Sequence, residues 1–221
     1  MSNFRLTATD LTNYFRPSEC PRRISLKAQG MTEAEPSAYE QVLAKLGKRH
    51  ERQHLQTLPS PVDLSQGTLE SRAQRTIESV EDSIPVIYQG VLTAEVAIDG
   101  TDCDLVGIPD FMVLQDDSYR IRDSKISRRI DEKDHPEILQ QLELYGWLYE
   151  RNFGQRPANL EVHSGSGDIV KLSWRGGDRL FKTLKTIVSL KQSDEECYSP
   201  VGWSKCNGCC FRYYCWDKAD E

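Results

Sequence analysis

The middle of the chain constrains the fold most, because strand patterns there are enclosed by helical patterns on both sides. Residues 85–98 and 104–114 are rich in Val, Ile and Leu, and residues 119–123 alternate in polarity. Asp116 and Asp117 predict a hairpin turn between the last two segments. Two short strands are expected to flank residues 165–168. Helical spacing is found in five further segments, 7–15, 36–57, 68–80, 136–153 and 178–192. This order predicts an α/β or α+β domain around one mixed sheet flanked by helices.

The composition fits one globular domain over residues 1–221. Hydrophobic residues make up 38% of the chain, which supplies a core and excludes a wholly disordered protein. We expect a helical part at 1–84, a strand-rich core at 85–195 and a cysteine-rich tail at 196–221. The net charge of −6 excludes a generally polycationic nucleic-acid binder, although it leaves room for a local basic groove. Without a long apolar run or a secretory signal, the chain is expected to be cytoplasmic, with no membrane partner.

The seven cysteines indicate metal binding rather than disulfides in a reducing compartment. Cys206, Cys209 and Cys215 form a compact set of three ligands near the end of the chain, and Cys20 is the best candidate for a fourth. Thiolates at this spacing suit a tetrahedral zinc or an iron–sulfur cluster, and the spacing leaves both open. The remaining cysteines are Cys103 and Cys197, expected to pack as small hydrophobes, and Cys210, a spare thiol or alternative ligand.

A zinc-protease pattern, H-E-x-x-H, occurs at His50 to His54 within a predicted helix. Two histidines four residues apart share a helix face and bind zinc in such enzymes, while the glutamate acts as a base. The surrounding residues are highly charged, which is unusual for an active-site helix. The simpler interpretation is a solvated helix face with one histidine turned inward.

A pair of carboxylates with a nearby lysine is the third candidate site. Asp123 and Lys125 point to the same face of their strand. Asp110 starts the neighbouring strand of the predicted hairpin, so the two carboxylates can converge. Such a pair can hold magnesium or manganese for phosphodiester cleavage, while the lysine orients or deprotonates water. An exposed charged strand is the alternative.

Two helices are expected to add polar groups to this site. Gln141 and Tyr145 lie four residues apart on the helix after the hairpin and share a face. His50 follows Leu46 by one turn, on the face expected to point inward, and could supply a nitrogen ligand. Gly47 would permit tight packing of this helix against the sheet.

Together these residues resemble the RecB-like branch of the PD-(D/E)XK nucleases that carry an iron–sulfur cluster. Within that branch the chain resembles the CRISPR-associated exonucleases, the fourth Cas family, which work beside the spacer integrase. The layout carries most of the resemblance: an early cysteine, the motif residues, then C-x2-C-x5-C at the end. The matching motif residues are His50, Asp110 after Gly107-Ile108-Pro109, Asp123-x-Lys125, and Gln141-x-x-x-Tyr145.

The resemblance implies a restriction-endonuclease-like core, with an iron–sulfur region joining the N-terminal helix to the tail. It implies that His50, Asp110, Asp123 and the carbonyl of Ser124 bind magnesium or manganese. Lys125 would assist the attacking water, and Gln141 and Tyr145 would support the site and contact DNA. A [4Fe–4S] cluster, with zinc as the less expected occupant, would be held by Cys20, Cys206, Cys209 and Cys215.

The expected function is trimming of DNA ends or single-stranded overhangs by a metal-dependent exonuclease or endonuclease. The resemblance implies processing of prespacers in CRISPR adaptation, with the integrase complex as a partner. A stand-alone RecB-like repair nuclease and a non-catalytic DNA-binding scaffold are the alternatives. Glu95 is expected to neighbour the site. Phosphate contacts are expected from a basic strip comprising Arg120, Arg122, Lys125, Arg128, Arg129 and Lys133.

Overall fold

The computed structural model describes residues 4–131, 133–199 and 201–218, apart from the side chain of Trp203. The helices within these ranges are α1 Ala8–Phe15, α2 Pro21–Ala28, α3 Ala38–Leu55, α4 Leu69–Glu81, α5 Pro136–Phe153, α6 Asp178–Gln192 and α7 Arg212–Asp217, with a 3-10 turn at Trp203–Cys206. The strands are β1 Phe4–Thr7, β2 Pro61–Asp63, β3 Val86–Tyr88, β4 Leu92–Ile98, β5 Thr101–Gly107, β6 Phe111–Gln115, β7 Ser118–Ser124, β8 Asn159–His163 and β9 Ile169–Leu172.

The strands form two sheets, so the prediction of one mixed sheet is wrong. The smaller sheet has the order β1-β5-β4 and the larger one the order β2-β3-β6-β7-β8-β9. Both contain parallel and antiparallel pairs, and helices flank them, which confirms the mixed α/β class. The two long predicted strands each divide between the sheets. Gln89, with a φ of 56°, turns the chain between β3 and β4, and Pro109 interrupts the chain between β5 and β6.

The hairpin of β6 and β7 forms where the sequence predicts it. Phe111 pairs with Arg122 and Gln115 pairs with Ser118, around a turn in which Asp116 has a φ of 52°. After β7 the chain returns through α5 to β8, which pairs with β7 in parallel. The ends of β6, β7 and β8 therefore have fixed positions relative to one another.

Helix α5 packs between the two sheets and contributes much of the core. Its Leu142 and Leu148 are fully buried, and it ends at Gly154 in the left-handed conformation. Gly107, the last residue of β5, permits the close approach of this helix. A Cβ atom at Gly107 would lie 2.7 Å from side-chain carbons of both Leu148 and Tyr145.

Helix α3 packs on the opposite face of the larger sheet. The expected inward face is correct for the half-buried His50, which stacks on His163, and wrong for Leu46. Leu46, expected to point inward, is 47% exposed. Most other residues of the helix are exposed as well. The residue that α3 buries against the sheet is His54, which is 8% exposed. Among the described residues, no atom beyond its chain neighbours and the adjacent helix backbone lies within 4 Å of a Cβ built on Gly47, so this glycine does not serve tight packing.

No helix within the described ranges is both long and apolar enough to cross a membrane.

Alanine substitutions at two glycines should have opposite effects on stability. Gly107→Ala should lower the free energy of unfolding by about 1–3 kcal/mol, because its methyl group overlaps Leu148 and Tyr145. Gly47→Ala should raise it by roughly 0.5–1 kcal/mol, because alanine is favoured at an open position within a helix. Urea unfolding followed by circular dichroism measures both. Destabilisation by Gly47→Ala would contradict the open position of this residue.

Candidate active site

Asp110 lies at the centre of a hydrogen-bond network at the end of the β6–β7 hairpin. Its Oδ2 accepts a hydrogen bond of 2.7 Å from the backbone NH of Ser124, and its Oδ1 accepts one of 3.0 Å from Gln89 Nε2. The backbone NH of Asp110 donates to Asp123 Oδ1 at 3.4 Å. The hairpin thus brings the two predicted carboxylates together across neighbouring strands.

Lys125 completes the charged group. Its Nζ lies 2.5 Å from Asp123 Oδ2, and Asp123 is only 1% exposed. The backbone NH of Lys125 donates to the carbonyl of His163 at 2.9 Å, which extends the β7–β8 pairing by one residue. The alternation of β7 therefore places Asp123 and Lys125 together, as the sequence predicts.

The charges of this group are unbalanced. Burial, followed by the neighbouring Asp123 and Glu51, holds the pKa of Asp110 well above its ordinary range. Burial alone would lower the pKa of Lys125, but Asp123 and Asp110 outweigh it, and the pKa is raised. One ammonium group thus faces two carboxylates, which leaves an excess of negative charge for a cation to neutralise.

Gln141 and Tyr145 lie beside this group, as predicted. Gln141 Nε2 donates to the Tyr145 hydroxyl at 2.7 Å. Burial and the charge of Asp123 raise the pKa of Tyr145 well above its ordinary value, so the hydroxyl stays protonated. These two side chains and Lys125 line a groove of about 400 Å³. The other lining residues come from α1 and its start and from the end of β5: Thr7, Ala8, Thr9, Thr12, Val106 and Ile108.

Glu51 is a third carboxylate near the site that the sequence interpretation missed. It accepts hydrogen bonds from the Tyr88 hydroxyl at 2.7 Å and from Gln89 Nε2 at 3.0 Å. Gln89 therefore bridges Glu51 and Asp110. The available sequence signal is the position of Glu51 next to His50, within the zinc-protease pattern.

Three histidines form a stack on the α3 face of the sheet. The ring of His163 stacks on His54 with centroids 3.8 Å apart and on His50 with centroids 4.3 Å apart. His54 Nε2 accepts a hydrogen bond of 2.9 Å from Arg122, so it is not free for zinc. Glu51 is engaged elsewhere, and the geometry therefore gives no support to the zinc-protease alternative. His54 is a buried member of this network.

The structure corrects part of the predicted basic strip. Arg122 is 5% exposed and forms an ion pair of 2.6 Å with the fully buried Glu161, so it cannot contact phosphate. Arg128, Arg129 and Lys133 are exposed in the segment after β7. Glu95 is also misplaced by the prediction, because it is exposed on β4 in the smaller sheet, outside the groove of Lys125.

The donors at this site fit magnesium or manganese. Asp110 and Asp123 supply oxygen ligands, and magnesium is commonly bound by one or two carboxylates together with water and substrate phosphates. Among the described residues, no three His, Cys, Asp or Glu side chains converge on one point. His50 Nε2 instead lies 3.4 Å from the carbonyl of His163. The ligand roles of Asp110, Asp123, His50 and the Ser124 carbonyl stay predictions.

The N-terminal cysteine and the cysteine-rich tail lie together. Cys20 immediately precedes α2, and its Sγ lies 3.1 Å from Ser199 Oγ, while Arg22 forms an ion pair of 2.6 Å with Glu196. Burial raises the pKa of Cys215, and Cys20 and Cys206 are close enough to raise it further. All seven cysteines are free thiols, and Cys103 is fully buried, as predicted. Thiols are suitable ligands for an iron–sulfur cluster or for zinc, although no three of them converge as ligands within the described ranges.

Comparisons with known proteins identify the family and a related fold. The sequence profile of the PD-(D/E)XK nuclease superfamily matches residues 22–216. No curated protein matches the chain in sequence. Among solved structures, the crystal structure of SSO0001 aligns with a TM-score of 0.50 and 15% identity, over 99% of this chain and 88% of that chain. At this identity the alignment shows a shared fold alone.

Acid should destabilise the protein through the buried histidines. Burial is the main cause that lowers the pKa of His54 and of His163 to about 4, from an ordinary value of 6.5. Between pH 6.5 and 4 these histidines therefore bind more protons in the unfolded chain than in the folded chain. The free energy of unfolding decreases as the pH falls through this range. His163→Gln should make this loss shallower by roughly 1 kcal/mol per pH unit. Urea unfolding at several pH values tests this, and parallel curves for the two proteins would contradict it.

Proposed function

Because the chain belongs to the PD-(D/E)XK nuclease superfamily, we propose that it cleaves DNA, trimming ends or single-stranded overhangs in a metal-dependent reaction. Membership implies hydrolysis of phosphodiester bonds, typically with magnesium or manganese. The observation that carries the proposal is the pair of Asp110 and Asp123, which face a single ammonium group, Lys125. Lys125 also lines the open groove, so the charged group is within reach of a substrate.

We assign the metal to Asp110 and Asp123, with His50 and the Ser124 carbonyl as further proposed ligands. A divalent cation bound there would polarise the phosphate and lower the pKa of a water molecule. The hydrogen bonds from Ser124 and Gln89 hold the Asp110 carboxylate in a fixed orientation. This preorganisation avoids reorienting the ligand during the reaction.

Lys125 acts as a charge rather than as a base. Its raised pKa keeps the ammonium protonated at neutral pH, so it offsets charge that develops on the phosphate and orients the attacking water. Tyr145, whose hydroxyl also stays protonated, can donate a hydrogen bond to the DNA backbone. Gln141, one turn earlier in α5, donates a hydrogen bond that orients this hydroxyl.

The four cysteines Cys20, Cys206, Cys209 and Cys215 are proposed to hold a [4Fe–4S] cluster, with zinc as the alternative. Their spacing and the contacts between α2 and the tail support this assignment. The cluster would act structurally, because metal affinity gained on folding adds to stability.

A role in prespacer trimming beside a CRISPR integrase is the finer form of the proposal, supported by the layout of the cysteines around the motif residues. Integrase genes encoded beside this chain would favour that role. Their absence would favour a stand-alone repair nuclease.

Substitutions at Asp110 and Lys125 should strongly reduce cleavage without unfolding the protein. Asp110→Asn and Lys125→Met should each reduce manganese-dependent cleavage of labelled single-stranded DNA by at least about 10²-fold, because each removes charge stabilisation at the reacting phosphate. Glu95→Gln, which changes an exposed carboxylate outside the groove, should cleave as the wild type does. Cleavage retained by Asp110→Asn would contradict the site, and equal cleavage of RNA would contradict the choice of DNA.

Anaerobic purification should yield a brown protein that contains iron and sulfide. Cys20→Ser should lose the broad visible absorbance of the cluster and lower the thermal stability, because the link between α2 and the tail is lost. Cys103→Ser is the matched control, since this thiol is buried in β5 and should leave the absorbance intact. A colourless preparation that contains zinc would overturn the cluster assignment.

A further inference from the structure

The exposed side of α3 carries a basic stripe that the proposed chemistry does not use. The stripe consists of four cations, Lys45, Lys48, Arg49 and Arg52, at helical spacing. Together with Gln53 and Gln56 they line a shallow groove of about 410 Å³. All six are exposed. Successive residues turn about 100° around a helix axis, so these positions follow one side of α3 over three turns.

The charge of the stripe is not neutralised locally. Residues 41–57 contain four lysine or arginine side chains and one carboxylate, a net of 4 − 1 = +3 on a chain whose total is −6. That carboxylate, Glu51, turns away and bonds to Tyr88 and Gln89. Within the described part of the chain, the four cations form no ion pair.

An apolar stripe runs beside the basic one. Tyr39, Val42 and Leu46 are 71%, 52% and 47% exposed. Their spacing places them on a narrow strip of α3 between the basic stripe and His50. His50 in turn contacts His163, whose carbonyl accepts the backbone NH of Lys125. The order around the helix is therefore His50, apolar stripe, basic stripe.

We infer that this side of α3 binds a single strand of DNA on its way to the active site. Bases would lie on the apolar stripe, with Tyr39 as the stacking side chain, and phosphates would lie on the basic stripe. Proteins that bind single strands combine these two elements, a cationic groove for the backbone and aromatic side chains for the bases. A duplex keeps its bases stacked and would use only the basic stripe. The inference rests on the proposed function for the identity of the substrate.

The experiment measures binding of a fluorescently labelled oligothymidylate by anisotropy, in EDTA so that no cleavage occurs, over a range of salt concentrations. The double variant Arg49→Gln/Arg52→Gln should bind about tenfold more weakly at physiological salt. The slope of log Kd against log salt should fall by about 0.7 for each phosphate that the variant no longer neutralises. The control Lys171→Gln/Lys182→Gln makes the same charge change at exposed positions elsewhere and should keep the wild-type slope.

Tyr39→Ala separates stacking from charge. It should weaken single-strand binding about tenfold with an unchanged salt slope, leave duplex binding as it is, and be rescued by Tyr39→Phe. Wild-type affinity and slope in the Arg49→Gln/Arg52→Gln variant would overturn the inference. So would a stable wild-type dimer that Leu46→Ser converts to a monomer, because α3 would then be an interface between copies.

Cleavage by the wild type with manganese is measured in parallel. If the wild type cleaves DNA but the α3 variants bind it with unaltered affinity, the inference is wrong and the proposed function is still supported. If the α3 variants bind DNA more weakly but the wild type does not cleave it, the proposed nuclease activity is wrong and α3 is supported as a strand-binding surface.

Discussion

The fold holds a buried carboxylate, Asp123, beside a half-buried one, Asp110, and the surrounding structure offsets the electrostatic cost. Asp110 and Asp123 meet at the end of a hairpin with one ammonium group between them and the groove. Removing like charges from water is unfavourable unless hydrogen bonds and opposite charge compensate. The backbone NH of Ser124 and the amide of Gln89 supply part of this compensation. The remainder is the electrostatic basis of the proposed divalent-cation site.

On the other face of β7, buried charges are compensated by protein groups alone. Arg122 is buried against Glu161 and bonds to His54, and the imidazoles of His54 and His163 stay neutral because burial lowers their pKa. Charge is thus balanced on the α3 face and unbalanced on the α5 face. The unbalanced face is the one open to a groove, which is why we propose that the reaction takes place there.

Local patterns in the sequence predicted the residues that the structure brings together, because a two-residue turn and helical spacing of four are short-range features. These residues are Asp110, Asp123, Lys125, Gln141 and Tyr145. The orientation of α3 could not be predicted in this way, because periodicity identifies an apolar stripe at Leu46 without showing whether anything covers it. Glu51 was missed because its link to the site depends on Gln89, which lies in a left-handed turn from a distant segment. The short strands β1 and β2 were missed because strands of three or four residues depend on partners far along the chain.

The strict alternation of β7 has a consequence for folding fidelity. If β7 slipped by one residue against β6, every side chain would change faces, so Arg122 would point toward α5 and Asp123 toward the imidazoles. Arg122 would then be buried without Glu161 and His54, and Asp123 would lose the backbone NH of Asp110. Loss of the partners of a buried charge is far more costly than a change of apolar contacts. Misregistered hairpins are therefore rejected electrostatically. The charged groups of the site thereby select the strand pairing that positions them.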